Sequence, residues 1–198
     1  MIHGFFFALI GFLSGSVLYS YHLLLWFKRI NVVEQSADGN PGTVNAIRLA
    51  GLPIGLLCLL IDMLKGFGPV LLALRVMGVE QPFFPLVMLA PVLGHAIAPW
   101  YDFGGGKAIA TSFGVLIALM PFSWAAVALA LWYILLAAVI GMMPHERCTV
   151  VTFFCFAATC LIGALWTGHL LTAIGCLLVS AVTIYKNAQD IKRASVED

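Results

Sequence analysis

Residues 1–27 read MIHGFFFALIGFLSGSVLYSYHLLLWF, without one Asp, Glu, Lys or Arg. About 20 mostly apolar helical residues cross the hydrocarbon core of a bilayer, so this stretch is long enough to span. No basic residue precedes it, it exceeds the apolar region of a secretory signal, and no small-residue cleavage site is evident. It reads as a permanent first span. The remainder has the same character: of 198 residues, 62% are hydrophobic and 10% charged, with a mean hydropathy of +1.04. A water-soluble domain carries roughly a quarter charged residues. Ten basic and nine acidic side chains cannot wet a globule of this size, so the apolar residues must face lipid and one another. The expected fold is an all-α integral membrane protein, one polytopic domain over residues 1–198.

Lys28 to Arg48 is the most hydrophilic interior segment. Residues 49–61 are apolar but too few to cross alone at 1.5 Å per residue. Asp62 and Lys65 then interrupt, and a second short apolar piece covers 66–74. Two half-length helices meeting at a polar break predict a bent span or a re-entrant hairpin. Polar groups at that depth need a protein-lined cavity. A span over 83–99 follows, carrying Pro85, Pro91 and Pro99. Ala108 to Met143 holds no charge and suits two shorter helices, with Pro121 at the turn. After Pro144-His145-Glu146-Arg147, the run Cys148 to Tyr185 is divided at Thr167-Gly168-His169. The count is five to seven spans, with seven preferred. Lys28, Arg29 and Arg48 flank the first loop, and Lys186, Lys192 and Arg193 crowd the C-terminus. By the distribution of basic residues in short loops, the N-terminus is expected outside and the C-terminus in the cytoplasm.

In so apolar a chain the polar clusters are informative, because an ionisable group near the bilayer is costly unless paired or used. The first is Asp38-Gly39-Asn40-Pro41-Gly42-Thr43-Val44-Asn45 with Arg48; Asn45 and Arg48, three apart, share a helical face. Amides and a guanidinium so placed suit a phosphate, as a plain capped turn also would fit the pattern. The second is Asp62-Met63-Leu64-Lys65-Gly66-Phe67-Gly68-Pro69, which alone fits an ion pair. The third is Gly94-His95, then Gly104-Gly105-Gly106-Lys107-Ala108-Ile109-Ala110-Thr111. Three glycines and a lysine before a helix offer N–H groups and a cation to an anion, without the spacing of a Walker loop. The fourth is the tail, where Asn187 and Asp190 are three apart beside Lys186, Lys192 and Arg193. Glu34 and Glu146 have no partner assignable from sequence. Cys58, Cys148, Cys155, Cys160 and Cys176 lie in apolar runs and form no CxxC pair, so neither zinc nor a disulfide framework is indicated. No basic stripe exists to meet a nucleic acid. There is no GxSxG elbow, and His95 and Asp102 have the wrong spacing for an HxxxxD pair.

Together the first three clusters resemble the bacterial integral-membrane acyl-phosphate:glycerol-3-phosphate acyltransferases, whose members carry S-G-N-P-G-A-T-N-x-x-R, then D-x-x-K-G-x-x-P, then G-H ending in F-K-G-G-K-G-x-A-T. The matching stretches are Asp38 to Arg48, Asp62 to Pro69 and Gly94 to Thr111, in the same order and spacing. The chain departs from the pattern at Asp38, at Thr43-Val44, at Gly104 and Ala108, and at Asn187 and Asp190, where the family's H-x-x-N stands.

The resemblance implies acyl transfer from acyl phosphate to the sn-1 hydroxyl of glycerol 3-phosphate, giving lysophosphatidate and phosphate at a bacterial plasma membrane. It implies His95, Lys107 and Asp190 as catalytic residues, and Asn40, Asn45, Arg48, Asp62, Lys65, Gly104, Gly105, Gly106, Thr111, Asn187 and Arg193 as substrate-binding. Neither cofactor nor metal is called for. The partners are the two substrates and membrane lipid, with no nucleic acid. Two other readings stay open at this level. One is a transporter with a broken helix at Asp62–Pro69, against which no inverted repeat is visible; the other is a lipid-phosphate-binding paralogue of low activity.

Overall fold

Backbone groups inside lipid find hydrogen-bond partners only in helices or closed barrels, and the charge-free runs here all become helices. The structure, a computed structural model, describes residues 2–102, 104–120 and 122–197, except the side chains of 193–197. The helices are α1 (Ile2–Ser16), α2 (Tyr19–Lys28), α3 (Val32–Gln35), α4 (Thr43–Ala50), α5 (Leu52–Met77), α6 (Phe84–Ile97), α7 (Ile109–Ala118), α8 (Ala125–Tyr133), α9 (His145–Thr167) and α10 (Leu170–Glu197). A 3₁₀ turn, Pro99–Tyr101, follows α6, and a π-helical segment, Ile134–Val139, continues α8. No strand occurs among the described residues.

Five segments are long and apolar enough to span: Ile2–Lys28, Leu52–Met77, Phe84–Tyr101, His145–Thr167 and Leu170–Lys192. Ile109–Ala118 and Ala125–Val139 are shorter. The start of α7 lies with Glu146 around one cavity, while Leu119, just past its end, lies with Thr167 and His169 around another. The chain therefore passes from one end of the bundle to the other along α7 and returns along α8, as expected of two short helices. Pro121 itself lies outside the described residues. The turn expected at Thr167-Gly168-His169 separates α9 from α10, with Gly168 at φ +76°. Trp26, Trp100, Trp124 and Trp166 are exposed at or beside the ends of apolar segments, where an indole sits between hydrocarbon and headgroups.

One expectation is corrected. Residues 49–74 form no pair of half-helices, since α5 runs unbroken through Asp62 and Lys65 and on past Pro69. Proline at 69 removes the N–H that would bond the Lys65 carbonyl; the Ser14 hydroxyl of α1 donates to that carbonyl instead, at 3.0 Å. The backbone break falls in the first span, between Ser16 and Tyr19. There the Val17 carbonyl accepts from the Lys65 ammonium at 2.7 Å. The charge and the break thus answer each other across two helices. Ser14→Ala is expected to cost about 1 kcal/mol of stability, read as a lowered thermal midpoint in detergent. An unchanged midpoint would show that the Lys65 carbonyl needs no substitute donor.

Small residues let these helices approach. A Cβ on Gly15 would strike the Pro91 carbonyl, and one on Gly94 the Phe12 carbonyl, so α1 and α6 meet backbone to backbone. Gly66 and Gly114 do the same for α5 and α7 against the backbones of Thr111 and Met63. A second apolar cluster, with Leu23, Leu24, Val32, Ala46 and Cys58 at its centre, seats α2, α3 and α4 against α5. That seating brings the first loop over the bundle end where the polar clusters meet.

Candidate active site

The turn before α4 is organised by Asp38. Its Oδ1 accepts from the Asn40 backbone N–H at 3.2 Å and from Asn45 Nδ2 at 2.6 Å. Asn45 Nδ2 also donates to the Asn40 carbonyl at 2.9 Å. Both partners are acceptors, which fixes the orientation of the amide. The N–H groups of Asn45 are therefore committed to the turn, and the residue shapes the pocket without offering a donor to it. Arg48, one helical turn on, is exposed at the cavity wall and forms no ion pair among the described residues. The cavity has a volume of about 530 Å³ and is lined by Asn40, Arg48, Asp62, His95, Lys107 and Glu146 among others. Four sequence regions far apart in the chain thus share one space.

Lys107 sits on its wall between three carboxylates. Its Nζ is 2.9 Å from Asp38 Oδ2, 2.9 Å from Glu146 Oε1 and 3.2 Å from Asp190 Oδ2. Partial burial acts to lower the ammonium's pKa, but the hydrogen bonds to Glu146 and Asp38, with Asp190 nearby, outweigh it and hold it above the ordinary 10.5. Burial likewise acts to raise Asp38, yet Lys107, Asn45 and the Asn40 N–H draw its pKa below the ordinary 3.8. Lys107 and Asp38 therefore both stay charged at neutral pH. Glu146 lies in the first turn of α9, where the helix dipole favours a carboxylate. Its partner is 39 residues away in sequence, a distance no local pattern signals.

The glycine run behaves differently from expectation. Gly104 N–H donates to the Tyr101 carbonyl at 2.8 Å and Gly106 N–H to the His95 carbonyl at 3.1 Å, so neither is free for an anion. A Cβ on Gly105 would strike the His95 and Ala96 carbonyls, which explains glycine there as close packing. Ala98, Asp102 and Ala108 bracket this loop at φ +44°, +51° and +62°, a left-handed region that side chains rarely adopt. The first bond closing α7 runs from Ser112 N–H to the Ala108 carbonyl at 2.9 Å. The amides without an intrahelical partner are thus those of Ile109, Ala110 and Thr111, and Ala108, Ile109 and Ala110 line the cavity.

Other expected site residues stand behind this wall. Lys65 is 4% exposed and lies outside the cavity lining, bonded to Val17, Asp62 and His95. Thr111 and Asn187 are fully buried; Asn187 Nδ2 donates to the Thr183 carbonyl of its own helix at 2.8 Å. Neither lines the cavity. The side chain of Arg193 lies outside the described residues.

The family model of glycerol-3-phosphate acyltransferase matches residues 5–196. The glycerol-3-phosphate acyltransferase of Myxococcus xanthus is 40% identical over 132 residues, 67% of this chain and 67% of that protein. Glycerol-3-phosphate acyltransferase 2 of Thermotoga maritima is 38% identical over 118 residues, 60% of this chain and 58% of that protein. The alignment thus spans less than two thirds of the Thermotoga relative. Among solved structures, the lysophosphatidic acid form of PlsY (YgiH), an integral membrane glycerol 3-phosphate acyltransferase, superposes with a TM-score of 0.79 at 25% identity, covering 98% of this chain and 92% of that one. The glycerol 3-phosphate form of PlsY gives a TM-score of 0.80 at 24% identity, a likeness of fold. With the family model matched over nearly its whole length, the chain belongs to the glycerol-3-phosphate acyltransferase family.

Proposed function

We propose that this protein moves an acyl group from an acyl phosphate to the sn-1 hydroxyl of glycerol 3-phosphate, giving 1-acylglycerol 3-phosphate and inorganic phosphate. The observation that carries the reading is one cavity lined by a guanidinium, Arg48, an ammonium, Lys107, and the N-terminal end of α7. Two phosphate-bearing substrates need two such anion-holding places. The hydroxyl oxygen attacks the acyl carbonyl carbon, the bond from that carbon to the phosphate oxygen breaks, and the departing phosphate takes the hydroxyl proton. An acyl phosphate is already activated, so positioning and charge neutralisation supply the acceleration without a covalent acyl-enzyme.

In this scheme Lys107 meets the charge of the reacting acyl phosphate, with Asp190, Glu146 and Asp38 holding its ammonium in place. Arg48 holds the acceptor's phosphate beside Asn40. The acyl chain lies among apolar side chains such as Leu59, Met63 and Phe113, which also line the cavity. The first loop and the end of α10 meet at Lys107, so both lie at one membrane face. Basic residues concentrate on these two segments, which supports a cytoplasmic placement for that face, with the N-terminus outside.

The donor provides the test. Purified protein given acyl phosphate is expected to acylate glycerol 3-phosphate, and given acyl-CoA or acyl carrier protein to form no product. Comparable rates with acyl-CoA would overturn the donor assignment.

A further inference from the structure

We infer that Lys65 is a positioning residue that fixes His95 as a neutral imidazole protonated on Nε2, so that His95 donates to a substrate oxygen in the cavity and does not serve as a base. The inference deepens the acyl-transfer reading and rests on it. Three buried groups make up the arrangement: Asp62, Lys65 and His95 are 2%, 4% and 4% exposed. Lys65 Nζ lies 2.6 Å from His95 Nδ1, donates to the Val17 carbonyl at 2.7 Å, and pairs with Asp62 Oδ1 at 2.9 Å. The Ser20 hydroxyl donates to the other Asp62 oxygen at 3.1 Å. An ammonium carries three protons and no acceptor; two of them meet the Val17 carbonyl and His95 Nδ1 as hydrogen bonds, and Asp62 Oδ1 faces the charge as an ion pair.

His95 Nδ1 can meet that donor only with its lone pair. A base at Nε2 requires the proton on Nδ1, which would set two N–H groups against each other at 2.6 Å. A doubly protonated ring would do the same and add a second cation in a dry site, at high cost. The remaining state carries its proton on Nε2. His95 lines the cavity, and its Nε2 faces Gly106, where a Cβ would collide with it. Asn40 Oδ1 stands on the same side of Gly106. Glycine at 106 thus leaves room for the donor beside the pocket turn. The carboxylate of Asp62 at 2.9 Å favours the ammonium form of Lys65, and the break in the first span supplies the Val17 carbonyl that accepts one of its protons. The residue that sequence suggested for substrate binding instead acts on substrate through His95.

The test is the tautomer, read by long-range ¹H–¹⁵N spectra of ¹⁵N-histidine-labelled protein in detergent, with the His95 ring identified by its loss in His95→Gln. The Nε2–H pattern is expected; an Nδ1–H pattern, or exchange between the two, would overturn the inference. Kinetics give the second arm. His95→Ala is expected to lower kcat/KM about 10- to 100-fold, as for loss of a charge-assisted donor. His95→Gln is expected to recover most of that loss, because its amide donates from a similar position but takes no proton at neutral pH. Equal loss in both variants would overturn the donor role. The double variant Asp62→Asn/Lys65→Met removes the ion pair as a unit, avoiding an unpaired buried charge. It is expected to release the ring into a mixture of tautomers; a ring still fixed as Nε2–H would overturn the part given to Lys65. The wild-type spectrum needs no substrate, so it reads the tautomer even if acyl transfer fails, and the two readings fail separately.

Discussion

Lys107→Ala is expected to lower acyl transfer by about 10²- to 10³-fold, the usual consequence of removing one preorganised electrostatic group at developing charge. Lys107 is the one lysine lining the cavity among the described residues, and three carboxylates from three separate segments hold it there. That geometry fixes the ammonium before substrate arrives, so no reorganisation is needed during reaction. Without it, Asp38, Glu146 and Asp190 are left facing the phosphates uncompensated, which compounds the loss. The fall should appear in kcat with acyl phosphate saturating, while the thermal midpoint shows a folded protein. Turnover near that of the wild type would remove Lys107 from the mechanism.

Arg48→Lys is expected to raise KM for glycerol 3-phosphate by about one to two decades, from a lost charge-assisted contact of about 1.5–3 kcal/mol. A planar guanidinium grips a phosphate with two parallel N–H groups, which a point-charge ammonium cannot reproduce. The competing role for Arg48 is that of counter-ion to Asp38. In the structure Asp38 is held by Lys107 and Asn45 instead, and Arg48 keeps its charge for the cavity. The KM for acyl phosphate should change little. An equal rise for both substrates would sink the acceptor clamp.

Much of the fold is legible in the chain, since lipid permits few alternatives. The first and last spans, the passage over 84–101 and the Thr167-Gly168-His169 turn all follow from length and apolarity. What misleads is treating every buried charge as a wet break. Asp62 and Lys65 sit inside an intact helix because Ser20, Val17 and His95 solvate them. Conversely, the true break at Val17-Leu18 carries no proline or charge, and only the short Ser14-Gly15-Ser16 run before it gives a local signal. The three motifs announce a polar site, yet the roles within it depend on contacts between remote segments. Asn45 N–H groups are spent on Asp38 and the Asn40 carbonyl, two of the three glycine amides on carbonyls, and Glu146 enters from 39 residues beyond Lys107. Spacing reports which residues share a face; it does not report which hydrogen bonds are already taken.

The most direct measurement supplies purified protein with radiolabelled glycerol 3-phosphate and acyl phosphate, and follows labelled lipid and inorganic phosphate together. Acyl transfer from acyl phosphate predicts 1-acylglycerol 3-phosphate with one phosphate released per acyl group transferred. Folded protein that forms no labelled lipid, or that releases phosphate without transferring the acyl group, would contradict it.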